Sequence, residues 1–247
     1  NSTSAGGNLF INGLLSTNAT IRRSSFFHGY TNSSGGGIAL SQMENVEIDQ
    51  CTFYNNAAYF GGGLWVDYTD KVRVFNTTFV GNTAGHDGGG MSFAETGDVE
   101  IDQCTFTNNI ASYGGGGLFG YASYKEVIFT ASAFVNNTAA YGGGTYFYDT
   151  KDVKIDQCTF HKNSASSGGG FFAFNSSTFL VTTSTFSNNT ADVSGGAGLL
   201  NATDSLDFAN NTAGFNKATY CNDFFDELSD ECLDIDGAIA EEVIPLS

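Results

Sequence analysis

Basic residues and proline are both scarce in this sequence. Only nine of its 247 residues are Lys or Arg, against 26 Asp or Glu, and there is a single proline. The formal net charge is −17. Nucleic acids and anionic membrane surfaces are bound through clusters of basic residues, so we expect neither as a partner. No apolar run approaches the roughly 18 residues that span a bilayer, so we also expect no membrane insertion by this segment.

Motifs of common catalytic and cofactor sites are missing as well. The chain has no Gly-x-Ser-x-Gly element and no Cys-x-x-Cys pair, and its glycine triplets lack the Lys that a phosphate-binding loop needs. The three histidines, His28, His86 and His161, fall at different places in the sequence pattern and predict surface residues. We therefore predict no catalytic, cofactor-binding or metal-binding residues, and a protein that is not an enzyme.

Glycine and phenylalanine dominate what is present. The chain contains 32 Gly and 23 Phe, and a disordered chain would lack the aromatic residues. A motif of Phe-x-x-Asn-x-Ala, followed by a glycine cluster, recurs along the chain. Its phenylalanines are Phe26, Phe53, Phe79, Phe106, Phe134, Phe160, Phe186 and Phe208. A repeat of roughly 26 residues without helical spacing indicates one coil of a β-solenoid per repeat.

Each repeat contains stretches in which apolar residues alternate with polar ones. Ile38 and Leu40 follow one glycine cluster, and Val46 and Ile48 precede the next turn. Such alternation is typical of strands with one buried face, and the segment around Phe53 supplies a third strand. The sequence predicts an all-β fold, a right-handed parallel β-helix of about eight coils with ~26–27 residues and three short strands per coil.

An asparagine lies three residues after each turn phenylalanine in seven successive repeats. Stacked at an inner turn, these amides are expected to hydrogen-bond to one another and to turn carbonyls. An alanine follows two residues later and suits a crowded corner. The predicted structural ladder consists of Asn56, Asn82, Asn109, Asn137, Asn163, Asn189 and Asn211.

The five cysteines form two groups. Cys51, Cys104 and Cys158 recur in every second coil, about 10 Å apart, which is beyond the reach of a disulfide, so we expect buried free thiols. Cys221 and Cys232 lie beyond the repeats, and we predict that they pair. The expected domains are a β-helix over 1–213, with an incomplete first coil, and an acidic C-terminal cap or tail over 214–247.

Two sets of outward residues suggest chemistry. Asp49, Asp102 and Asp156 form a column, but their expected spacing of about 10 Å exceeds what glycoside hydrolysis uses, and they recur with the repeat. The aromatic residues Trp65, Tyr146 and Phe172 follow glycine clusters. They either cover the solenoid surface or stack on sugars.

Glycosylation signals are dense. The sequence contains nine Asn-x-Ser/Thr sequons, which predict a secreted glycoprotein. Their asparagines are Asn1, Asn18, Asn32, Asn76, Asn136, Asn175, Asn188, Asn201 and Asn210.

The pairing of Phe-x-x-Asn with Gly-Gly-Gly-Ile or Gly-Gly-Gly-Leu resembles the repeat of the polymorphic outer-membrane protein family. Phe53 with Asn56 and Gly61–Leu64 show it clearly, and the resemblance covers roughly residues 20–213. It implies a right-handed β-helix displayed on a cell surface and acting in adhesion.

The sequence thus predicts a non-enzymatic extracellular glycoprotein, a structural or adhesive segment of a cell-surface protein or filament. Its partners would be copies of itself or neighbouring surface proteins, met end to end through the solenoid ends. The alternative is a carbohydrate-active β-helix enzyme or a polysaccharide-binding module, with glycan contact through the outward aromatic residues.

Overall fold

The chain forms a parallel β-helix in the computed structural model, which describes residues 6–13, 17–201, 205–227 and 230–233. The described residues form 31 strands, numbered in chain order. Successive coils contribute one strand each to three long sheets. In this part of the chain no helix is long and apolar enough to cross a membrane. The predicted fold class and coil length are confirmed.

Sheet 1 contains ten strands. They are β1 (Leu9–Asn12), β4 (Ile38–Ser41), β8 (Leu64–Asp67), β12 (Met91–Ala94), β16 (Leu118–Tyr121), β19 (Thr145–Tyr148), β23 (Phe171–Phe174), β27 (Gly198–Asn201), β30 (Phe224–Asp226) and β31 (Glu231–Leu233). All neighbours are parallel except β30 and β31, which pair antiparallel.

Sheets 2 and 3 contain eight strands each. Sheet 2 consists of β2 (Asn18–Arg22), β5 (Asn45–Asp49), β9 (Lys71–Phe75), β13 (Asp98–Asp102), β17 (Glu126–Thr130), β20 (Asp152–Asp156), β24 (Thr178–Thr182) and β28 (Ser205–Ala209). Sheet 3 consists of β3 (Ser25–Phe27), β6 (Thr52–Tyr54), β10 (Thr78–Val80), β14 (Thr105–Thr107), β18 (Ala133–Val135), β21 (Thr159–His161), β25 (Thr185–Ser187) and β29 (Thr212–Gly214).

Short additional strands follow sheet 3 in several coils, at the corner that leads to the glycine triplets. They are β7 (Ala57–Ala58), β11 (Thr83–Ala84), β15 (Ile110–Ala111), β22 (Ser164–Ser167) and β26 (Thr190–Ser194). The glycines then complete the corner. Gly61 has a left-handed backbone with φ +58°, and a Cβ on Gly62 would lie 2.3 Å from the carbonyl oxygen of Gly89 in the next coil. Only glycine permits that approach.

The core is a continuous stack of apolar side chains inside the coils. The turn phenylalanines are fully buried from Phe53 to Phe186, and the rings of Phe53 and Phe79 stack with centroids 4.7 Å apart. Alternating Val, Ile and Leu residues of sheets 1 and 2 fill the rest of the interior. In sheets 2 and 3, successive residues of each strand therefore alternate between the core and the surface.

The asparagine ladder is built from repeated hydrogen bonds. Asn82 donates its side-chain amide to Oδ1 of Asn109 (3.0 Å) and to the carbonyl of Phe53 (3.0 Å). Its backbone N–H also donates to Oδ1 of Asn109, at 2.9 Å. The same pattern links the predicted residues from Asn56 to Asn189. Each buried amide thus satisfies a turn of the neighbouring coil.

The last rung of the ladder is Asn216, and the prediction of Asn211 is wrong. Asn189 donates to Oδ1 of Asn216 at 3.0 Å, whereas Asn211 accepts from the backbone of Ser184. Phe208 likewise lies in sheet 2, opposite Val181, and Ala213 occupies the turn position opposite Phe186. The segment 208–213 imitates the motif but is five residues out of step with the hydrogen-bonded register.

The alternation of cysteine with hydroxyl residues has a structural reason. The hydroxyl oxygens of Thr77, Ser132 and Ser184 accept the backbone N–H groups of the cysteines one coil earlier, at 3.0–3.2 Å. Those cysteines, Cys51, Cys104 and Cys158, are buried free thiols as predicted. Asn211 occupies the same column in the last coil, which explains why it is not a rung of the ladder.

The solenoid extends beyond the boundary predicted at residue 213. Lys217 and Tyr220 bridge to the preceding coil, and β30 pairs with β27 in parallel. Antiparallel β31 then covers β30, so sheet 1 changes direction at its C-terminal end. Residues 228–229 and 234–247 of the predicted acidic tail lie outside the described residues.

The predicted Cys221–Cys232 pair lies at this end of sheet 1. The structure brings the two sulfur atoms together, with Cα atoms 5.6 Å apart, inside the roughly 7 Å that a disulfide needs. A bond here would tie the antiparallel strand to the last coil. The pairing itself remains a prediction.

Candidate functional site: an aromatic pocket on sheet 1

The outer face of sheet 1 carries two columns of aligned side chains, fixed by the parallel register. The central column runs Phe10, Ala39, Trp65, Ser92, Phe119, Tyr146, Phe172, Leu199 and Phe225. The second column runs Asn12, Ser41, Asp67, Ala94, Tyr121, Tyr148, Phe174 and Asn201. Aromatic residues dominate both columns from the middle of the sheet onward.

A pocket of about 450 Å³ opens where small side chains interrupt these columns. Ser92 and Ala94 on β12 lie between larger neighbours, Trp65 and Asp67 on one side and aromatic residues of β16 on the other. The pocket is lined by Phe60, Trp65, Asp67, Tyr68, His86, Asp87, Ala94, Glu95, Tyr113, Phe119, Tyr121, Tyr146 and Tyr148. Its surface is therefore mainly aromatic, with three carboxyl groups.

Residues just before the glycine triplets form one wall of the pocket. The His86 ring packs 5.4 Å from Phe60 and 5.0 Å from Tyr113, measured between ring centroids. Phe60 in turn contacts Trp65 at 5.5 Å. These rings hold one another in place, which preorganises the wall.

The sheet itself supplies the other rings. Tyr146 is buried and packs 5.3 Å from Phe119 and 5.0 Å from Phe172. Burial raises the pKa of Tyr146 above its ordinary value, so its hydroxyl stays protonated across the physiological pH range. Tyr146 therefore enters the pocket as a neutral ring with a polar tip.

Asp87 is the most constrained acid in the pocket. Its Oδ1 accepts the backbone N–H of Gly114 at 2.9 Å, and its Oδ2 lies 2.7 Å from Nδ1 of His86. The side chain is nearly buried. Burial raises the pKa of Asp87, while His86 and Gly114 act in the opposite direction. A carboxylate is thus held at a fixed position in an apolar wall.

Asp67 lies in the second column of sheet 1 and is differently placed. Its Oδ1 is buried without a hydrogen-bond partner. Burial raises the pKa of Asp67, and hydrogen bonds from Ser41 and Trp65 only partly oppose that shift. A carboxyl group in such a setting has a charge that the protein itself leaves largely uncompensated.

The three predicted outward aromatic residues lie in different surroundings. Trp65 and Tyr146 both line the pocket. Phe172 is buried in the aromatic cluster beside the pocket, together with Leu199 and Phe225. The acid column of Asp49, Asp102 and Asp156 lies on sheet 2 and does not contribute to the pocket.

Sequence reasoning missed most of the pocket, including His86, which it took for an ordinary surface residue. A signal was nevertheless present in the column just before the glycine triplets. That column contains Ser34, Phe60, Asp87, Gly114 and Tyr141, and Asp87 is its one charged member. The run of four glycines at 114–117 was a second signal, because Gly115 has the left-handed backbone expected of a first glycine. Gly114 therefore belongs to the column before the triplet, opposite Asp87, and not to the triplet itself.

Seven of the predicted glycosylation sites have exposed asparagines. They are Asn18, Asn32, Asn76, Asn136, Asn175, Asn188 and Asn210. Asn201 is half-buried, and its side-chain amide donates to Glu227. Asn1 lies outside the described residues. Within the described ranges, no group of three or more His, Cys, Asp or Glu side chains is arranged to hold a metal ion.

Comparison with known proteins gives a family but no close relative. The model of the right-handed β-helix region matches residues 10–142 and 86–213, which together cover most of the chain. This match agrees with the parallel coils and confirms the predicted hand. No curated protein and no solved structure matches the chain.

Proposed function

The chain belongs to the right-handed β-helix family, and on that premise we propose that it is a non-enzymatic, adhesive module of an extracellular surface protein that binds carbohydrate in the aromatic pocket. One observation carries the proposal. A cavity of about 450 Å³ lies between aromatic walls beside the small side chain of Ala94 on β12.

The size and chemistry of the pocket support ligand binding. Small-molecule sites commonly have volumes of about 300–1,000 Å³ and combine apolar or aromatic walls with a few fixed polar groups. Trp65 offers a partly exposed ring, and Asp87 is held in place by two hydrogen bonds. Flat rings complement the apolar faces of sugar rings, and fixed carboxylates accept hydrogen bonds from hydroxyl groups.

Two further observations support an extracellular, adhesive role. Seven sequon asparagines are exposed, as enzymatic attachment of a glycan requires. The repeat around Phe53 and Asn56 resembles that of polymorphic outer-membrane proteins, which implies surface display and adhesion. The regular core offers a rigid rod on which a binding pocket can be presented.

End-to-end association remains part of the proposal. Within the described residues, β1, β2 and β3 are the first members of their sheets and pair on one side only. A strand edge of this kind pairs with a further strand, either from the same chain or from another one. Negative-stain microscopy and sedimentation over a range of concentrations test the end-to-end association. Single molecules at every concentration would contradict it.

A glycan array followed by titration calorimetry tests the binding function. Trp65→Ala removes a pocket ring and is expected to weaken binding by at least about tenfold, which corresponds to about 1.4 kcal/mol. Tyr54→Ala removes an exposed ring from β6 on sheet 3, outside the pocket, and is the matched control. An array without any bound glycan, or equal losses in both variants, would overturn the proposal.

A carbohydrate-active enzyme is the second candidate, because Asp67 and Asp87 are two carboxyl groups with raised pKa in one pocket. Glycoside hydrolysis uses a pair of carboxyl groups, one of them with a raised pKa. Prolonged incubation with each bound glycan, followed by mass spectrometry, separates the candidates. Intact glycan supports a binding module, whereas cleavage that is lost in Asp87→Asn would identify an enzyme.

A further inference from the structure

The charge in the aromatic pocket is one-sided. Asp67, Asp87 and Glu95 line it, while Lys and Arg are missing from the described lining residues. His86 is the one basic side chain there, and its Nδ1 is engaged by Asp87 at 2.7 Å. The chain as a whole also carries a net charge of −17. A neutral ligand would provide no counter-charge for these carboxylates.

Asp67 shows the imbalance most clearly. Ser41 and Trp65 provide hydrogen bonds to its side chain, but these donors are neutral and its Oδ1 has no partner. A carboxylate in an apolar wall attracts a nearby cation more strongly than one in water, since the local dielectric constant is lower. The Asp67 carboxylate is therefore suited to attract a cationic group of a ligand in the pocket.

The aromatic walls favour the same kind of ligand. The faces of Trp and Tyr rings attract cations through their negative quadrupole, and the attraction grows when water is excluded. Trp65, Tyr113 and Tyr146 all line the pocket. Aromatic rings beside a carboxylate that lacks a charged partner, as Asp67 does, are a common arrangement for binding an organic ammonium group.

We propose that the ligand of the pocket is a saccharide with a free, protonated amine, such as an oligomer of deacetylated hexosamine. This inference rests on the proposed carbohydrate-binding function and deepens it. The aromatic rings receive the sugar ring and part of the ammonium charge, while Asp67 and Asp87 supply the opposite charge. A neutral or acidic saccharide lacks the group that these carboxylates attract.

Two oligosaccharides of nearly the same shape test the charge requirement. Tetrameric β-1,4-glucosamine and cellotetraose differ at the second carbon, where one has an ammonium group and the other a hydroxyl. Calorimetry at about pH 6 keeps the amines protonated. We expect the amino oligomer to bind at least about tenfold more tightly than cellotetraose, and added salt to reduce that difference because exposed charges are screened.

Variants separate the pocket from general attraction between a polycation and an acidic protein. Asp67→Asn is expected to reduce the preference for the amino oligomer several-fold, and Trp65→Ala to remove its binding. Asp102→Asn deletes an acid of sheet 2, outside the pocket, and is expected to leave the preference unchanged. Circular dichroism of each variant verifies the fold.

Each outcome has a distinct meaning. Equal or tighter binding of cellotetraose overturns the amine requirement and leaves the carbohydrate-binding function standing. Array hits confined to neutral or acidic glycans have the same meaning. An equal effect of Asp67→Asn and Asp102→Asn overturns the inference, because net charge alone would then explain the preference. An array without hits removes both proposals.

Discussion

The backbone N–H of Gly114 donates a 2.9 Å hydrogen bond to Oδ1 of Asp87, the residue aligned with it one coil earlier. The same glycine leaves room for an aromatic neighbour, because a Cβ on Gly114 would lie 2.3 Å from Cδ1 of Tyr146. One position without a side chain therefore fixes both a buried acid and a buried ring of the pocket.

Gly114→Ala should consequently displace Tyr146 and distort the pocket. We expect the free energy of unfolding to fall by about 1–3 kcal/mol, as overpacking typically does, and glycan affinity to fall with it. Gly214→Ala is the matched control, since a Cβ there meets nothing within 4 Å. Urea denaturation measures both variants, and equal stabilities would contradict the close packing of Tyr146 against Gly114.

The asparagine ladder predicts a large effect from a single amide. Asn109→Ala removes Oδ1, to which both the backbone and the side chain of Asn82 donate, and also the donor to Phe79. Each buried polar group left unpaired costs about 1–3 kcal/mol, so we expect a loss of about 3 kcal/mol or more in denaturant unfolding. Thr105→Ala, on the outer face of β14, should change stability by less than about 0.5 kcal/mol.

The buried thiols predict a loss of stability at alkaline pH. Burial raises the pKa of Cys104 and Cys158 from 9.0 to about 12. Between these values the unfolded chain releases thiol protons that the folded chain retains, so the free energy of unfolding falls as the pH rises. Each thiol contributes at most about 1.4 kcal/mol per pH unit within that window.

A comparison of slopes measures this contribution. The double variant Cys104→Ala, Cys158→Ala should show a shallower decline of unfolding free energy from about pH 9 upward than the unmodified chain, because it lacks the two thiols and keeps every other titratable group. Parallel curves would show that the thiols already titrate near their ordinary pKa in the folded state.

The Cys221–Cys232 disulfide is expected to stabilise the C-terminal end of sheet 1. Peptide mapping without reduction should recover these two cysteines as a linked pair and the other three as free thiols. Cys232→Ser should lower the free energy of unfolding by about 2–4 kcal/mol, a typical value for a disulfide. A linkage that involves Cys51, Cys104 or Cys158 would contradict the buried, unpaired positions of those residues.

Glycan occupancy should follow exposure. In a eukaryotic secretory host, we expect glycans on exposed sequons such as Asn32 and Asn188, and little or none on Asn201, whose amide is bound to Glu227. Mass mapping after enzymatic deglycosylation in heavy-oxygen water measures each site. Full occupancy of Asn201 would show that this contact forms only after glycan transfer or not at all.

Repetition explains why so much of the fold is readable from the sequence. The turn phenylalanines, such as Phe79, have the same surroundings in successive coils. The number of residues between them therefore gives the register of the coils directly. The ladder from Asn56 to Asn189 could be predicted for the same reason. The exception is the last coil. Phe208 and Asn211 match the sequence motif there, but the hydrogen bonds place them outside the turn and ladder positions.

The pocket could not be predicted in this way because it is formed where residues of one coil differ from the equivalent residues of its neighbours. Ser92 and Ala94 are ordinary strand residues until parallel pairing places Ser92 between Trp65 and Phe119, and Ala94 between Asp67 and Tyr121. Asp87 and Gly114 become partners only when adjacent coils stack. Their sequence positions differ by a full coil, so no local pattern connects them.

The solenoid, its coil length and its inner columns follow from the residue pattern alone, because a side-chain period of two and a coil period near 26 leave one consistent way to bury the apolar residues. Tertiary structure decided where the repeat ends and where a ligand can bind. Both depend on contacts between coils, in which hydrogen-bond register selects Asn216 over Asn211 and side-chain size leaves a cavity beside Ala94.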